Sequence, residues 1–497
     1  MHKLLLAAVC CAAAHAAAIG GVVLDRATGR PLAHSLVTVR PVDGVGGRPQ
    51  TVRANRAGQF SFTVSAGMYL LRASRGGFAP FQYGQRDWKS AGKPMSVEQD
   101  RSLYLDIHLR RFGAISGTVL DENEVGIPDQ KVIAYPATMP LQIAATATTD
   151  DRGVYRIHGL EPGTYYVRAA AKQLEDASGL LPTFHKETMV VDQSVTVEVD
   201  LDQQADDVDI RPLPGKLFRV FGKVRTSPPA PVTLSLISDA GRVQTKTAGT
   251  FAFEQIAPGT YQLVAEGDDP YGRGKLAAYQ EISVDRDMEL QVPVTVCHET
   301  EFRMQDEKSN KVDAANARIT ARRKDLDGGG RPEVLKLVNG STALGLGRWE
   351  VSVVPGASYY PVEVTGSYGL PDAPARADSW NEVYLRGNDV ITIKLSSRAA
   401  SIHGVVSGPG HEPVAGAPVY LEGFDKDSHK RLGELRTVRT DLRGQYRFRG
   451  LAPGLYRIAS TFEYEKPDPD SMEAAGAHPV TLAENDDTAQ DLDLYAP

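Results

Sequence analysis

The sequence predicts an all-β protein, a tandem array of about five small β-sandwich domains, and three observations carry that reading. Short runs alternate apolar and polar residues throughout, as in Tyr165-Tyr166-Val167-Arg168-Ala169, while stretches with apolar residues at i, i+3, i+4 and i+7 are few. Turn formers are plentiful, with 47 glycines and 31 prolines in 497 residues. A two-part motif also returns along the chain, each copy about a hundred residues after the last.

The chain opens MHKLLLAAVCCAAAHAAA. A positive start at Lys3, an apolar run from Leu4 to Ala14 and an Ala14-His15-Ala16 cleavage site read as an export leader over residues 1–18. Lipid attachment at Cys10 or Cys11 is disfavoured, because Val9 and Cys10 stand where a small residue should precede the cysteine. The first part of the motif follows, an Ile/Val-x-Gly-x-Val strand. It occurs as Ile19-x-Gly21-x-Val23, Ile115-x-Gly117-x-Val119, Val220-x-Gly222-x-Val224 and Ile402-x-Gly404-x-Val406. The spacings are 96, 105 and 182 residues, and the last is twice 91, so a further unit with a worn first strand belongs in that gap. The expected units are 19–111, 112–214, 215–297, 298–398 (degenerate) and 399–497.

The second part lies 27 to 40 residues after each glycine. It is fullest in Thr149-Asp150-Asp151-Arg152-Gly153-Val154-Tyr155-Arg156-Ile157 with Pro162-Gly163-Thr164-Tyr165, and in Thr440-Asp441-Leu442-Arg443-Gly444-Gln445-Tyr446-Arg447-Phe448 with Pro453-Gly454-Leu455-Tyr456. The third unit keeps Gly249, Phe251, Phe253, Gly259 and Tyr261; the first keeps Asn55, Gly58, Phe60, Phe62, Gly67 and Tyr69. The fourth retains Gly347-Arg348-Trp349 and an alternating Glu350-Val351-Ser352-Val353. Turn and core chemistry accounts for these choices. Asp or Asn caps backbone N–H groups and the glycine three residues on takes positive φ. Tyr-x-Phe sends two large side chains to one face of a strand. Pro-Gly makes a tight turn before a strand that opens on tyrosine. Gly58, Gly153, Gly163, Gly249, Gly259, Gly444, Gly454, Tyr69, Tyr165, Tyr261 and Tyr456 are therefore structural expectations.

These residues resemble the carboxypeptidase regulatory-like domain family. The resemblance rests on the G-x-V strand, a second strand after Pro128 (Gln130 to Val132) or Pro413 (Ala417 to Val419), T-D-x-x-G-x-Y-x-F and G-L-x-P-G-x-Y. The stretch Tyr83-Gly84-Gln85-Arg86 through Gly92-Lys93-Pro94 also looks like exported tandem-domain members. The resemblance implies transthyretin-like (Ig-like, carbohydrate-binding-like) sandwiches across nearly the whole mature chain. It implies little about activity, since such domains accompany enzymes, envelope transport proteins and chains with neither.

Composition narrows the function classes. The net charge is −7 and the longest basic run is Arg322-Arg323-Lys324, which argues against nucleic acid as a partner. No segment beyond the leader approaches the length of a membrane helix. Loss of the leader leaves Cys297 as the sole cysteine, so each core must hold without a disulfide. His158-Gly159-Leu160-Glu161 and His298-Glu299-Thr300-Glu301 match a zinc His-x-x-Glu, but the first falls inside the repeat motif and the second would need a distant ligand such as His403. The sequence holds no G-x-S-x-G, Walker or C-x-x-C motif, and the pairs Asp425/Asp427, Asp468/Asp470 and Asp325/Asp327 read as solvated loop charge. Neither a metal nor a cofactor is expected. Tyr83, Trp88, Trp380 and Tyr384, aromatics in polar surroundings, are the candidate ligand platforms. The expectation is an exported, non-catalytic interaction or scaffold protein of the cell envelope, periplasmic, outer-membrane-associated or secreted. Its partner would be an envelope protein or glycan, and the alternative is a carbohydrate-binding protein.

Overall fold

The computed structural model describes residues 17–42, 48–138, 141–174, 179–238, 241–272, 274–313, 317–324, 332–356, 358–366, 380–387, 389–424 and 435–496. Of the leader expected over residues 1–18, residues 1–16 lie outside the described residues, while Ala17 and Ala18 belong to the first strand, Ala17–Asp25. The chain is a tandem array of β-sandwiches. In the first unit Ala17–Asp25 is the middle strand of three, antiparallel to Gln59–Val64 and parallel to Ser102–Leu109. The facing sheet runs Gln50–Arg53, Leu36–Pro41, Gly67–Ser74, Phe81–Gln82, and Met95–Val97 also pairs with Gly67–Ser74. The inner faces meet over one core that includes Ile19, Val37, Phe62, Tyr69 and Ile107.

That plan repeats around Gly113–Thr118, Phe218–Arg225 and Ala400–Ser407, each antiparallel to the Tyr/Phe-x-Phe strand and parallel to a late strand. Each has a separate core. The G-x-V glycine is demanded by crowding: a Cβ at Gly21, Gly117, Gly222 or Gly404 would stand 1.9 to 2.2 Å from a carbonyl oxygen of that parallel neighbour. In the first, third and fifth units the paired rings of the Tyr/Phe-x-Phe strand meet edge to face, at 6.1 Å for Phe60 and Phe62, 5.8 Å for Phe251 and Phe253, and 6.1 Å for Tyr446 and Phe448, while the second unit carries Ile157 beside Tyr155.

The fourth unit departs from the expected pattern in an informative way. Its first strand, Thr300–Asp306, is full length and pairs in parallel with Val390–Ser396 over six positions. The worn element is the partner on the other side, reduced to Ser341–Thr342. Tyr360–Thr365 lengthens the sheet beyond Val390–Ser396, and the core gathers Phe302, Met304, Val351, Val383 and Ile393.

Helix is nearly absent among the described residues. The α-helix Pro469–Ala474 starts from Asp468, whose carboxylate accepts the Ser471 N–H at 2.8 Å. Met472 from this helix packs with Tyr420 and Ala459 on the outer face of the last unit. Among the described residues no helix is long and apolar enough to cross a membrane.

Candidate functional site

The repeat motif resolves into a fixed set of bonds. Asp150 Oδ1 accepts the N–H groups of Arg152 (3.0 Å) and Val154 (2.9 Å). Asp441 does the same for Arg443 (2.8 Å) and Gln445 (2.9 Å), and Asn55 for Ala57 (2.9 Å) and Gln59 (3.0 Å). The backbone bond from Val154 and the other donors around Asp150 hold its carboxyl below the usual range. Gly58, Gly153 and Gly444 follow with φ of 73°, 77° and 72°, and each presents its carbonyl to the last residue of the G-x-V strand. Gly249 presents the same carbonyl to Val224 without a left-handed backbone, from a shorter hairpin that Thr247 Oγ1 braces.

The Pro-Gly pairs differ from the expected turn. Gly163, Gly259 and Gly454 stand nearly extended, at φ 157°, 156° and 151°. The left-handed residue comes four positions earlier, at Gly159, Gln255 and Gly450, where the pairing slips by one residue into a bulge. The tyrosine that follows has a second task. The phenols of Tyr69, Tyr165, Tyr261 and Tyr456 donate to the carbonyl four residues back, at 2.9, 2.6, 2.9 and 2.9 Å. In the fourth unit Trp349 Nε1 donates to Gly345 at 2.9 Å in the same way.

Of the four aromatic candidates, two lie in one segment and two on one sheet, and the structure does not bring the pairs together as one platform. Tyr83 is half-buried against the core of the first unit. Trp88, also half-buried, lines a cleft of about 350 Å³ with Arg26, Phe81, His108, Arg110 and Leu201, at the junction of the first two units. Arg110 and Arg111 fix that junction: Asp202 accepts Arg110 Nε at 2.8 Å and the Arg111 N–H at 2.7 Å, while Arg111 reaches Asp25 at 2.5 Å.

Trp380 and Tyr384 flank the outer face of the fourth unit. The Arg322 guanidinium lies 4.2 Å from the Trp380 ring centre, so an arginine already stacks where a sugar face would. Arg386 sits 5.2 Å from Tyr384. On the same face Glu350 and Glu382 stand directly opposite in register, the arrangement that carboxylate chemistry would need. Both are committed, Glu350 to Arg322 at 2.7 Å, Glu382 to Lys324 at 2.6 Å and Arg348 at 2.5 Å. Partial burial would raise the Glu382 carboxyl, but those cations outweigh it and hold it below the usual range, so it carries no proton to donate at neutral pH.

The remaining chemical expectations divide. His158 is exposed on its strand, and Asp468 is spent capping the helix. Asp325, Asp327, Asp425 and Asp427 lie outside the described residues. Cys297 is buried, which pushes its thiol up to about 11.

A contact with no local sequence signal joins the first unit to the last. The segment after Tyr83 lies along the fifth unit. Ala91 is counted in that unit's core and donates its N–H to the Phe462 carbonyl at 2.8 Å. Glu465 N–H donates to the Lys89 carbonyl at 2.6 Å, Gln82 Nε2 to Glu465 at 2.8 Å, and Arg439 Nη1 to the Gly92 carbonyl at 3.2 Å. Arg86 pairs with Glu463 at 3.0 Å, and Lys93 Nζ lies 5.6 Å over the Phe462 ring.

Sandwiches in series with this recurrent corner make the molecule a multidomain β-sandwich protein. Residues 18–110 and 114–210 each match the carboxypeptidase regulatory-like domain. Those residues form two tandem domains similar to that family. No curated protein matches the chain. Among solved structures it is similar to the minor pilin GBS52 of Streptococcus agalactiae, at 13% identity over 39% of this chain and 94% of that one, with a TM-score of 0.24. It is also similar to the shaft pilin SpaA of Lactobacillus rhamnosus GG, at 11% identity over 41% and 98%, TM-score 0.25. A third is the Bacillus anthracis TIE protein, at 10% identity over 92% and 68%, TM-score 0.15.

Proposed function

We propose that this chain acts outside the cytoplasm as a non-catalytic scaffold, five sandwiches whose mutual placement presents interaction surfaces in the cell envelope. The observation that carries the reading is that charge pairs link neighbouring units. Asp25 with Arg111, Arg323 with Glu266 at 2.6 Å, and Arg398 with Glu307 and Glu484 all lie at or across unit junctions. The fold invests in holding units at set angles. Cleavage after Ala16 fits a first strand that starts at Ala17 with its methyl in the core. Two measurements on envelope fractions test this reading. N-terminal sequencing should begin at Ala17 or Ile19, and a retained Met1 would overturn export. A lysine-reactive crosslinker should join Lys89 to Lys466, the residue after Glu465, whose N–H meets the Lys89 carbonyl at the contact between the first and last units; its absence would overturn the fixed arrangement.

One observation favours glycan binding as a second reading: Trp88 offers a half-buried ring in a cleft with His108 and three arginines. On a glycan array, binding abolished by Trp88→Ala and kept by Trp380→Ala would establish it.

A further inference from the structure

A second cleft, of about 570 Å³, lies between the second and third units. It is lined by Arg168, Pro182, Met189, Ile237, Gln262 and Glu281 among others. Arg168 projects from the outer face of Gly163–Ala169, opposite Ile133. It is 7% exposed, with its guanidinium 5.3 Å from the ring centre of Tyr135 and 5.5 Å from that of Phe184. Its Nε and Nη1 are buried without a hydrogen-bond partner. A buried guanidinium left in that state is costly, and ring contacts repay part of that cost without satisfying its N–H groups.

The fifth unit holds an outward arginine differently. There Arg457, two residues earlier on the corresponding strand, is bonded at 2.8 Å by Glu422, which stands directly opposite it. In the second unit Tyr135 and Tyr166 take the places of Glu422 and Arg457, Ile133 stands opposite Arg168, and the neighbouring strand Lys131–Pro136 offers no carboxylate. Across the cleft, Gln262 Oε1 of the third unit is also buried without a partner. Unpaired donors and an unpaired acceptor thus line one cavity, which fits a ligand carrying an anion beside an N–H. Arg168 is the one cation among the described lining residues, and Glu281 is there as well, which favours a monoanion over a phosphate. Pro182, Met189 and Ile237 supply an apolar wall.

We propose that this cleft binds the C-terminal carboxylate of a peptide, with Arg168 holding the carboxylate, Gln262 Oε1 accepting the last amide N–H, and the apolar wall taking the terminal side chain. The peptide partner rests on the interaction-protein reading, yet failure here would leave export and the unit contacts untouched.

The test uses the full mature chain and a fluorescein-labelled Gly-Ser-Gly-Leu peptide with a free carboxylate, its C-terminal amide and trigalacturonate. The free acid should bind, and the amide should bind more weakly by about tenfold or more. Arg168→Met should lose acid binding by a similar factor while the unfolding temperature holds or rises, because the variant removes an unpaired buried charge. Gln262→Leu, on the opposite unit, should weaken acid binding independently of any effect on the second unit's fold. Equal binding of acid and amide, binding of neither, or full binding by both variants overturns the proposal. Binding of trigalacturonate in place of the peptide overturns the peptide assignment.

Discussion

Thr149 and Thr440 show how much a single side chain does in this repeat. Thr149 Oγ1 accepts the Gln130 N–H at 2.8 Å and donates to the Ile127 carbonyl at 2.7 Å, and Thr440 bridges Ala417 and Val414 in the same way. The first unit has Ala54 before its Asn55 and carries the buried hydroxyl on Ser35 instead, bonded to Leu32. Thr149→Val therefore strands two buried backbone groups and should cost about 1–3 kcal/mol in denaturant unfolding. Tyr165→Phe keeps the ring and loses the bond to the Glu161 carbonyl, at about 1 kcal/mol, and a cost near zero would show the corner to be idle. Gly153→Val meets two obstacles: a left-handed backbone and a Cβ placed 2.6 Å from the Val119 carbonyl oxygen. A loss of about 2 kcal/mol or more is expected, and an unchanged melt would remove the turn from the account.

At the scale of elements, the strands were the most legible part of the sequence, because alternation and turn chemistry act between neighbours in the chain. Ile-x-Gly-x-Val, Tyr-x-Phe and the Asp-to-Gly turn could each be read locally, and so could the fourth unit, whose Trp349 takes the tyrosine's place. Three features were not legible there. The bulge at Gly159, Gln255 and Gly450 depends on how two strands slip, and Gln255 breaks the glycine pattern that would have revealed it. The tyrosine corner looks like one more inward aromatic until the path of the preceding turn is known. The stacking of Arg322 on Trp380 joins residues on different strands, so an aromatic that reads as exposed is already half covered. Loop charges behave as elements too. Glu307 is held below its ordinary 4.5 by hydrogen bonds from Arg398 and Ser396. The folded chain then binds fewer protons there than the unfolded one, so the stabilisation is present above that pH and lost as pH falls through the folded value. Melting temperature should be level near neutrality and decline below about pH 4.5, and Arg398→Gln should flatten the Glu307 share of that decline.

Across the whole molecule the governing contact is between residues as far apart in sequence as Gln82 and Glu465, 383 positions, which no local pattern encodes. The fifth unit has its own strands and turns, so residues 399–497 alone should give a β-type circular dichroism spectrum and a cooperative melt. That melt should fall below the fifth unit's transition in the intact chain, since Ala91 is missing from its core; equal temperatures would mean that the contact contributes nothing. Ala91→Glu in the full chain should enlarge the radius of gyration by releasing the first unit from the last, and an unchanged scattering curve would count against the contact. Because Ala91 is made long before the core that receives it, this contact forms only after the fifth unit has been synthesised and folded. A chain that lacks the fifth unit holds a rim of Ala91, Gly92 and Pro94 with nothing to receive it.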